Sequence, residues 1–419
     1  MSSGSNSFFI LNDKTVKACG RNNYGQLGLG DTTKRTILSL IPNLTNVKQV
    51  ACSCYHTMFL LKGGTVKACG YNYYGQLGLG DTNGRSTPTL ITDLENVKQI
   101  SCGMYHTMFL LKDGTVKACG YNEDGQLGLG DTTKRTILSL IPNLTNVKQV
   151  ACSCYHTIFL LKDGTVKACG QNSSGQLGLG DTTTRTTPTL IPNLTNVKQV
   201  ACGNYHSLFL LKDGTVKACG YNGYGNLGLG DKTNRNTPTL ISNLTDIKEI
   251  TCGDYHTMFL LKDGTVKACG LNNYGQLGLG DTNDKTTPAL IPDLTDVKQI
   301  SCGENHSIFL LKDGTVKACG RNDYGQLGLG DTNNRNVPTL INDLSNVIEL
   351  NDYISLFNIY YTILSGSEEF IYDSYGDKNT LTGLESVKNK GYYSLNSMLN
   401  HITTYDVMKY IIKKYKTPI

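Results

Sequence analysis

The 419-residue sequence contains no tryptophan, only ten prolines, and no apolar run that approaches the length of a membrane span. A transmembrane helix needs about 20 consecutive, mostly apolar residues, so we expect no membrane insertion. The first seven residues carry no lysine or arginine, and the apolar run behind them, Phe8 to Leu11, is too short for a signal peptide. We therefore predict a protein without a signal peptide that is cytoplasmic or virion-associated.

A concentration of positive charge is also missing. The formal net charge is +5, and the lysines are spread evenly through the chain. Nucleic-acid-binding domains carry a basic stripe or patch, so no nucleic-acid partner is expected.

The sequence lacks a recognisable catalytic signature: no Ser/His/Asp set, carboxylate pair or nucleotide fingerprint stands out. Cys52, Cys54 and His56, with their twins 100 residues later, have the residue types of metal ligands. They sit where a predicted strand gives way to a turn, and no fourth ligand accompanies them. We predict a non-enzymatic protein without a cofactor or metal.

What the sequence does contain is a repeat. The heptapeptide Gly75 to Asp81, Gly-Gln-Leu-Gly-Leu-Gly-Asp, is one of seven copies at a constant spacing of 50 residues, with Asn226 replacing glutamine in one copy. A fixed period of this length is typical of propellers and solenoids. Three glycines in six positions indicate a backbone with positive φ. No helical period follows any copy, which argues against a phosphate-binding loop.

Each repeat divides into four short strands, A to D. In one repeat they are predicted at 96–102, 107–112, 115–120 and 136–141, with a hairpin turn at Asp113-Gly114 between B and C. Four antiparallel strands per repeat make one propeller blade. We therefore predict an all-β fold, a seven-bladed β-propeller over residues 7–352.

The chain ends suggest how the ring closes. Phe8 to Leu11 aligns with strand B, and no strand A is apparent before it, whereas 346–350 aligns with strand A of the other repeats. The prediction is that this C-terminal strand completes the N-terminal blade and removes a free sheet edge.

Residues 353–419 depart from the repeat and form a predicted tail. Segments 357–364 and 368–373 resemble strands, and 394–401 and 404–415 resemble short helices. We predict a small α/β or helical element, through which the protein could assemble with other molecules.

Cysteine and histidine follow the repeat. Seven of the fifteen cysteines recur in strand C and six in strand A, so they are predicted to be reduced, buried small hydrophobes. One histidine per blade, from His56 to His306, recurs at the A–B junction. The predicted role is a buried anchor that bonds a backbone carbonyl.

The repeats resemble the regulator of chromosome condensation repeat family. The resemblance rests on Gly120-Tyr121-Asn122, the heptapeptide at Gly125, the upstream segment Cys102 to His106 and the hairpin at Asp113-Gly114, and it covers about residues 7–350. It implies a seven-bladed propeller completed by strands from both chain ends. The family includes an exchange factor for a small GTPase, bacterial inhibitors of β-lactamases and many interaction modules. The chain lacks the exchange factor's protruding wedge and basic N-terminal tail, and has Cys where the family usually has Trp in strand C.

Differences between the repeats indicate a candidate site. Successive turns of an antiparallel meander alternate between the two ends of its strands, so the A–B and C–D loops share one face. Variation is concentrated there, and it is rich in residue types suited to recognition. The candidate binding residues are Arg21, Asn23, Tyr24, Tyr71, Tyr73, Tyr74, Met104, Tyr121, Tyr221, Tyr224, Tyr274, Arg321 and Tyr324.

We therefore expect a recognition propeller that binds a macromolecular partner, either a protein or a cell-surface glycan. The duplication of 31–56 at 131–156 and the Asn, Lys, Ile and Tyr bias suggest a bacterial or phage source, where the ring would serve as a tail or host-binding component. The alternative is a cytosolic regulator or exchange factor of a small GTPase. A third class is an enzyme with its site in the central channel.

Overall fold

Each repeat folds into one four-stranded antiparallel sheet, in the computed structural model that describes residues 2–342, 344 and 347. Blade 1 contains β1 (Ser2–Ser3), β2 (Asn6–Ile10), β3 (Val16–Gly20) and β4 (Arg35–Leu40). Blade 2 contains β5 (Val47–Cys52), β6 (His56–Leu61), β7 (Val66–Gly70) and β8 (Arg85–Leu90). Blade 3 contains β9 (Val97–Cys102), β10 (His106–Leu111), β11 (Val116–Gly120) and β12 (Arg135–Leu140).

The remaining four blades repeat this plan. Blade 4 contains β13 (Val147–Cys152), β14 (His156–Leu161), β15 (Val166–Gly170) and β16 (Arg185–Leu190). Blade 5 contains β17 (Val197–Cys202), β18 (His206–Leu211), β19 (Val216–Gly220) and β20 (Arg235–Leu240). Blade 6 contains β21 (Ile247–Cys252), β22 (His256–Leu261), β23 (Val266–Gly270) and β24 (Lys285–Leu290). Blade 7 contains β25 (Val297–Cys302), β26 (His306–Leu311), β27 (Val316–Gly320) and β28 (Arg335–Leu340).

The predicted seven-bladed, all-β architecture is confirmed, and the described residues contain no helix. Strand B is buried over five of its six residues because neighbouring blades cover both of its faces. Strand D at the rim keeps two or three of its six residues exposed. The cores lie between blades: Met58 and Leu60 of blade 2 pack with Val97, Ile100 and Phe109 of blade 3.

The glycine heptapeptide joins each blade to the next. Gly80 has φ 84°, and its backbone N–H donates to the carbonyl of Thr136 in the next blade's strand D over 3.1 Å. A methyl group on Gly75 would lie 2.4 Å from Cα of Thr136, so the loop can approach this closely only because glycine has no side chain. The equivalent bond recurs in all seven blades, and Gly330 donating to Thr36 closes the ring.

The prediction of ring closure was wrong in one respect. Strand A of blade 1 is β1 at the N-terminus itself, where Ser2 pairs with Ser7 and Ser3 with Asn6. From the C-terminal segment, Val347 forms an antiparallel bridge with Leu11, in the register that Val97 has with Leu111. A serine-rich start such as Ser2-Ser3-Gly4-Ser5 has low β propensity, which is why the sequence did not reveal this strand.

The predicted tail at 353–419 lies outside the described residues. Among the residues that the structure does describe, no helix is long and apolar enough to cross a membrane.

Candidate recognition face

The A–B and C–D loops meet on one face, as predicted, and the contact is built from hydrogen bonds. The backbone N–H of Tyr71, just after strand C, donates to the carbonyl of Tyr55 in the A–B loop over 2.9 Å. The amide Nε2 of Gln26 donates to the carbonyl of Cys54 in the next blade over 3.0 Å. We call the surface formed by these loops the recognition face.

Each C–D loop is held rigid by its own polar side chains. In blade 2, Oδ1 of the buried Asn72 accepts from the backbone N–H of Leu77, and its Nδ2 donates to the carbonyl of Asp81. Asp81 forms an ion pair with Arg85 over 2.6 Å, and this hydrogen bond lowers the pKa of Asp81. The ion pair recurs in all seven blades, with Lys285 replacing arginine in blade 6. The loops are therefore preorganised platforms for the side chains that they carry.

Seven tyrosines from blades 1 to 3 form one contiguous group on the recognition face, which we call the major tyrosine cluster. Neighbouring ring centroids lie 4.9 to 6.4 Å apart. Tyr73 and Tyr24 are the most exposed members, at 59% and 39%. The members are Tyr24, Tyr55, Tyr71, Tyr73, Tyr74, Tyr105 and Tyr121.

A second group on the same face, the minor tyrosine cluster, comes from blades 4 to 6. Its rings are 5.3 to 6.3 Å apart, and its members are Tyr155, Tyr205, Tyr221, Tyr224 and Tyr255. Burial raises the pKa of Tyr155 to about 12, with smaller contributions from neighbouring groups. That hydroxyl therefore stays neutral at physiological pH.

The two predicted arginines extend the aromatic surface. The guanidinium carbon of Arg21 lies 5.8 Å from the ring centroid of Tyr24 and 5.6 Å from that of Tyr324. Arg321 lies 5.1 Å from the ring of Tyr274, and it is also paired with Asp323. These are cation–π distances, so blades 6 and 7 join the aromatic surface to blade 1.

The structure brings most of the predicted residues into these groups, and two stand apart. Asn23 is exposed next to Tyr24 in the chain. Met104 lies on the wall of the central channel, where its sulfur is 3.8 Å from the hydroxyl of Tyr155.

The sequence interpretation missed one ring of tyrosines, at positions 55, 105, 155, 205 and 255. The tyrosine is the same in five repeats, with Asn305 and Ser5 at the equivalent positions of the other two, so a search for variation passed over it. A signal was present: successive residues of an extended strand point to opposite sides. A residue directly before a buried histidine is therefore directed away from the core.

The six repeat histidines are buried, as predicted, but their partner is a side chain. Nε2 of His56 lies 2.8 Å from Oγ1 of Thr107 in the next blade, and that threonine hydroxyl donates to the carbonyl of Gln76 over 2.8 Å. The hydroxyl hydrogen is thus committed to Gln76, so His56 is the donor through Nε2–H. The same arrangement links each histidine to the following blade.

The candidate metal triad does not converge. His56 is turned toward Thr107 and Ser53, whereas the thiol of Cys54 donates to Glu304. Among the described residues, no three His, Cys, Asp or Glu side chains are arranged to hold a metal ion. All fifteen cysteines are free, and the seven in strand C are fully buried. Four in strand A, at positions 102, 152, 202 and 252, are only partly buried.

Comparison with models of known protein families shows to which family the chain belongs. The model of the regulator of chromosome condensation (RCC1) repeat matches residues 15–60, 63–110, 113–160, 163–210, 213–260, 263–310 and 313–351. The chain belongs to this repeat family. A second RCC1-repeat model matches six segments from 47–76 to 297–326. No curated protein sequence matches the chain.

Solved structures show the same RCC1-repeat fold. Prp20p from Saccharomyces cerevisiae, studied for its binding to Gsp1p and histones, has a TM-score of 0.71 and 22% identity over 80% of this chain and 87% of its own. Human WBSCR16 has a TM-score of 0.72 and 24% identity over 80% of this chain and 96% of its own. Neither comparison supports the bacterial or phage setting, or the glycan partner, that the sequence suggested.

Proposed function

We propose that this RCC1-repeat propeller is a non-catalytic regulator that binds a protein partner through the recognition face. The observation that carries the proposal is the pair of tyrosine clusters on one face, held by preorganised loops. Tyrosine supplies a large contact area at low entropic cost and is enriched among the residues that dominate binding energy. Loops that are already ordered reduce the entropic cost of association.

Several contacts support a binding role over a catalytic one. The repeat histidines commit Nε2 to the next blade, and burial lowers the pKa of His106 to about 3. Burial likewise raises the pKa of the Cys19 thiol to about 12. A general base works best with a pKa near the operating pH, and a nucleophilic cysteine needs an accessible thiolate. These side chains meet neither condition.

A small GTPase is the partner class to test first. The family includes an exchange factor for such a protein, and the structurally similar Prp20p binds Gsp1p. The described part of this chain has seven blades of equal plan and no strand beyond them that could form a protruding wedge. If the partner is a GTPase, the tyrosine clusters take the place of a wedge as the contacting surface.

The test is affinity capture from lysate of the source cells, followed by assays with the purified partner. Capture identifies the partner, titration calorimetry measures its affinity, and release of a fluorescent GDP analogue reports exchange. We expect a protein that binds in a simple stoichiometric complex, and a GTPase partner should release nucleotide faster when the propeller is added. Binding that is unchanged when the recognition face is altered would contradict the proposal. A GTPase that binds without faster release would contradict only its exchange component.

A further inference from the structure

A small cavity opens on the ring axis, at the same end of the channel as the recognition face. Its volume is about 60 Å³, and its wall is built from A–B loop residues of all seven blades. A water molecule takes up about 30 Å³ in the liquid, so the cavity has room for about two groups of that size. An ammonium group and its neighbouring methylene fit this volume.

Two acidic side chains, Glu304 and Asp254, line this cavity. Oε2 of Glu304 accepts a hydrogen bond from the hydroxyl of Ser5 over 2.8 Å, and its Oε1 accepts from the thiol of Cys54 over 2.7 Å. Asp254, from the neighbouring blade, also lines the cavity. Its side chain has no hydrogen-bond or ion-pair partner among the residues that the structure describes.

Two further side chains of the cavity wall have polar atoms without a hydrogen-bond partner in the described part of the chain. Oδ1 of Asn204 is buried and has no partner within the described part of the chain. The thiol of Cys154 is only 8% exposed, and it too has no hydrogen-bond partner in that part. Buried polar atoms are normally satisfied by protein or another bound group, so the unpaired amide oxygen of Asn204 beside an unpartnered carboxyl group indicates a missing donor.

Tyrosine hydroxyl groups contact two residues of the cavity wall, and the two acidic side chains favour a cation as the missing donor. Tyr155 contacts Met104 on the cavity wall, and the hydroxyl of Tyr255 lies 3.5 Å from Nδ2 of Asn204. An ammonium group offers three donors in a compact cation.

We propose that the axial cavity is a lysine pocket, which receives the ammonium group of one lysine side chain of the protein partner. This inference rests on the proposed function, because the lysine belongs to the protein that docks on the recognition face. The carboxylates of Asp254 and Glu304 would neutralise the charge, and Oδ1 of Asn204 would accept one of its hydrogen bonds.

The pocket should respond to pH through Asp254. Burial and the adjacent Glu304 carboxylate raise the pKa of Asp254 to about 8. Cys54, Cys154, Tyr205 and Tyr255 also face this carboxyl group. Burial raises the pKa of each of them, so none of them ionises before it. Asp254 therefore binds a proton more readily than an exposed carboxyl group does, and a bound cation, which favours the carboxylate, competes with that proton. Ammonium affinity should consequently increase from pH 6.5 to pH 9.

The test uses the full chain with ¹³C-methyl methionine and n-butylammonium chloride, the analogue of a lysine side chain. Met104 lines the cavity, whereas the buried Met58 and Met108 report on the fold. We expect a saturable shift of the Met104 methyl signal with n-butylammonium. The neutral isostere 1-butanol and potassium chloride at equal ionic strength should leave the signal in place.

Two variants sharpen the test. Combining Asp254→Asn with Glu304→Gln should abolish the shift, and Asp254→Asn alone should remove the increase in affinity with pH. If the double variant fails to fold, which the Met58 and Met108 signals would show, the pH dependence of the Asp254→Asn variant still tests the assignment. An equal response to 1-butanol, a response to potassium, or unchanged pH dependence in Asp254→Asn would overturn the lysine assignment. The probe is independent of any partner, so the pocket and the proposed function can fail separately.

Discussion

Nε2 of His306 lies 3.0 Å from Oγ of Ser7, across 299 residues of sequence. Ser7 also donates to the carbonyl of Gln326 over 2.7 Å, so one hydroxyl joins the last blade to the first by two buried hydrogen bonds. Ring closure therefore uses the same side-chain contacts that join consecutive blades. The C-terminal segment adds the bridge between Val347 and Leu11.

Replacing Ser7 with alanine should open this closure. The change leaves Nε2 of His306 and the carbonyl of Gln326 without partners, and each buried unpaired group costs about 1–3 kcal/mol. We expect a clear decrease in the urea midpoint of unfolding. Ser7→Thr is the matched control, since threonine fills this position in four other blades, and its midpoint should stay near that of the native protein. Equal midpoints for Ser7→Ala and the native protein would show that this contact does not support closure.

Blade 1 lacks the histidine that the other six blades share, and introducing it should stabilise the protein. Asn6 stands where the other blades have histidine, and both atoms of its fully buried amide lack a partner in the described structure. Asn6→His would place Nε2–H beside the hydroxyl of Thr57, which donates to the carbonyl of Gln26. We expect a gain of about 1 kcal/mol in the free energy of unfolding, measured by urea denaturation. A lower free energy than that of the native protein would show that blade 1 cannot accommodate the ring.

The buried histidines should make the propeller sensitive to acid. Burial lowers the pKa of His56, His106, His156, His206, His256 and His306 to about 3, whereas an unfolded histidine titrates near 6.5. Between these values the unfolded chain binds protons that the folded chain does not. Stability is therefore retained above pH 6.5 and lost as pH falls toward 3, at about 1.4 kcal/mol per pH unit for each histidine.

The measurement is the free energy of unfolding from pH 7 to pH 4.5. His106→Asn, which copies the natural residue of blade 1, should reduce the slope by about one proton. A stability that does not change over this range would contradict neutral burial of the histidines.

Strand D, at the rim of each blade, should tolerate proline at the position of Leu138. Strand D carries proline at position 88 and at its equivalents in four other blades, whereas β4 and β12 carry Leu38 and Leu138. The backbone N–H of Ile141 donates to Val116 in strand C, and alternation along the strand directs the N–H of Leu138 outward. Proline is tolerated where the N–H faces solvent, so Leu138→Pro should change stability by less than about 1 kcal/mol. Leu110→Pro, in the central strand B, should prevent folding. Thermal unfolding compares the two, and a severe loss with Leu138→Pro would show that the rim is packed differently.

Much of this architecture could be predicted from the sequence, because a 50-residue period repeats each local signal seven times. The Asp113-Gly114 hairpin and the apolar strand B placed the strands to within about a residue of their observed bounds. The partners of the histidines could not be predicted, since each bond crosses to another blade and depends on the ring's curvature. The axial cavity was hidden for the same reason: Asp254 and Glu304 are 50 residues apart in sequence and come together only when blades 6 and 7 pack side by side.

The tyrosines predicted on the recognition face pack against one another and are also partly exposed to solvent. Aromatic pairs contribute about 0.5–1.5 kcal/mol each beyond burial, so alanine substitutions there should lower stability modestly. A binding defect must therefore be compared with that of an equally substituted control.

The most direct test of the recognition face is the dissociation constant for the purified partner. One variant replaces Tyr71, Tyr73, Tyr74 and Tyr121 with alanine, and its control replaces the exposed Lys62, Lys112, Lys162 and Lys212 on the opposite face with alanine. Both are measured by titration calorimetry at a temperature where circular dichroism shows them folded. We predict at least about a hundredfold weaker binding for the tyrosine variant, as expected when several energetically dominant residues are lost together, and native affinity for the lysine control. Native affinity in the tyrosine variant, or an equal loss in both, would contradict the assignment of this face as the binding surface.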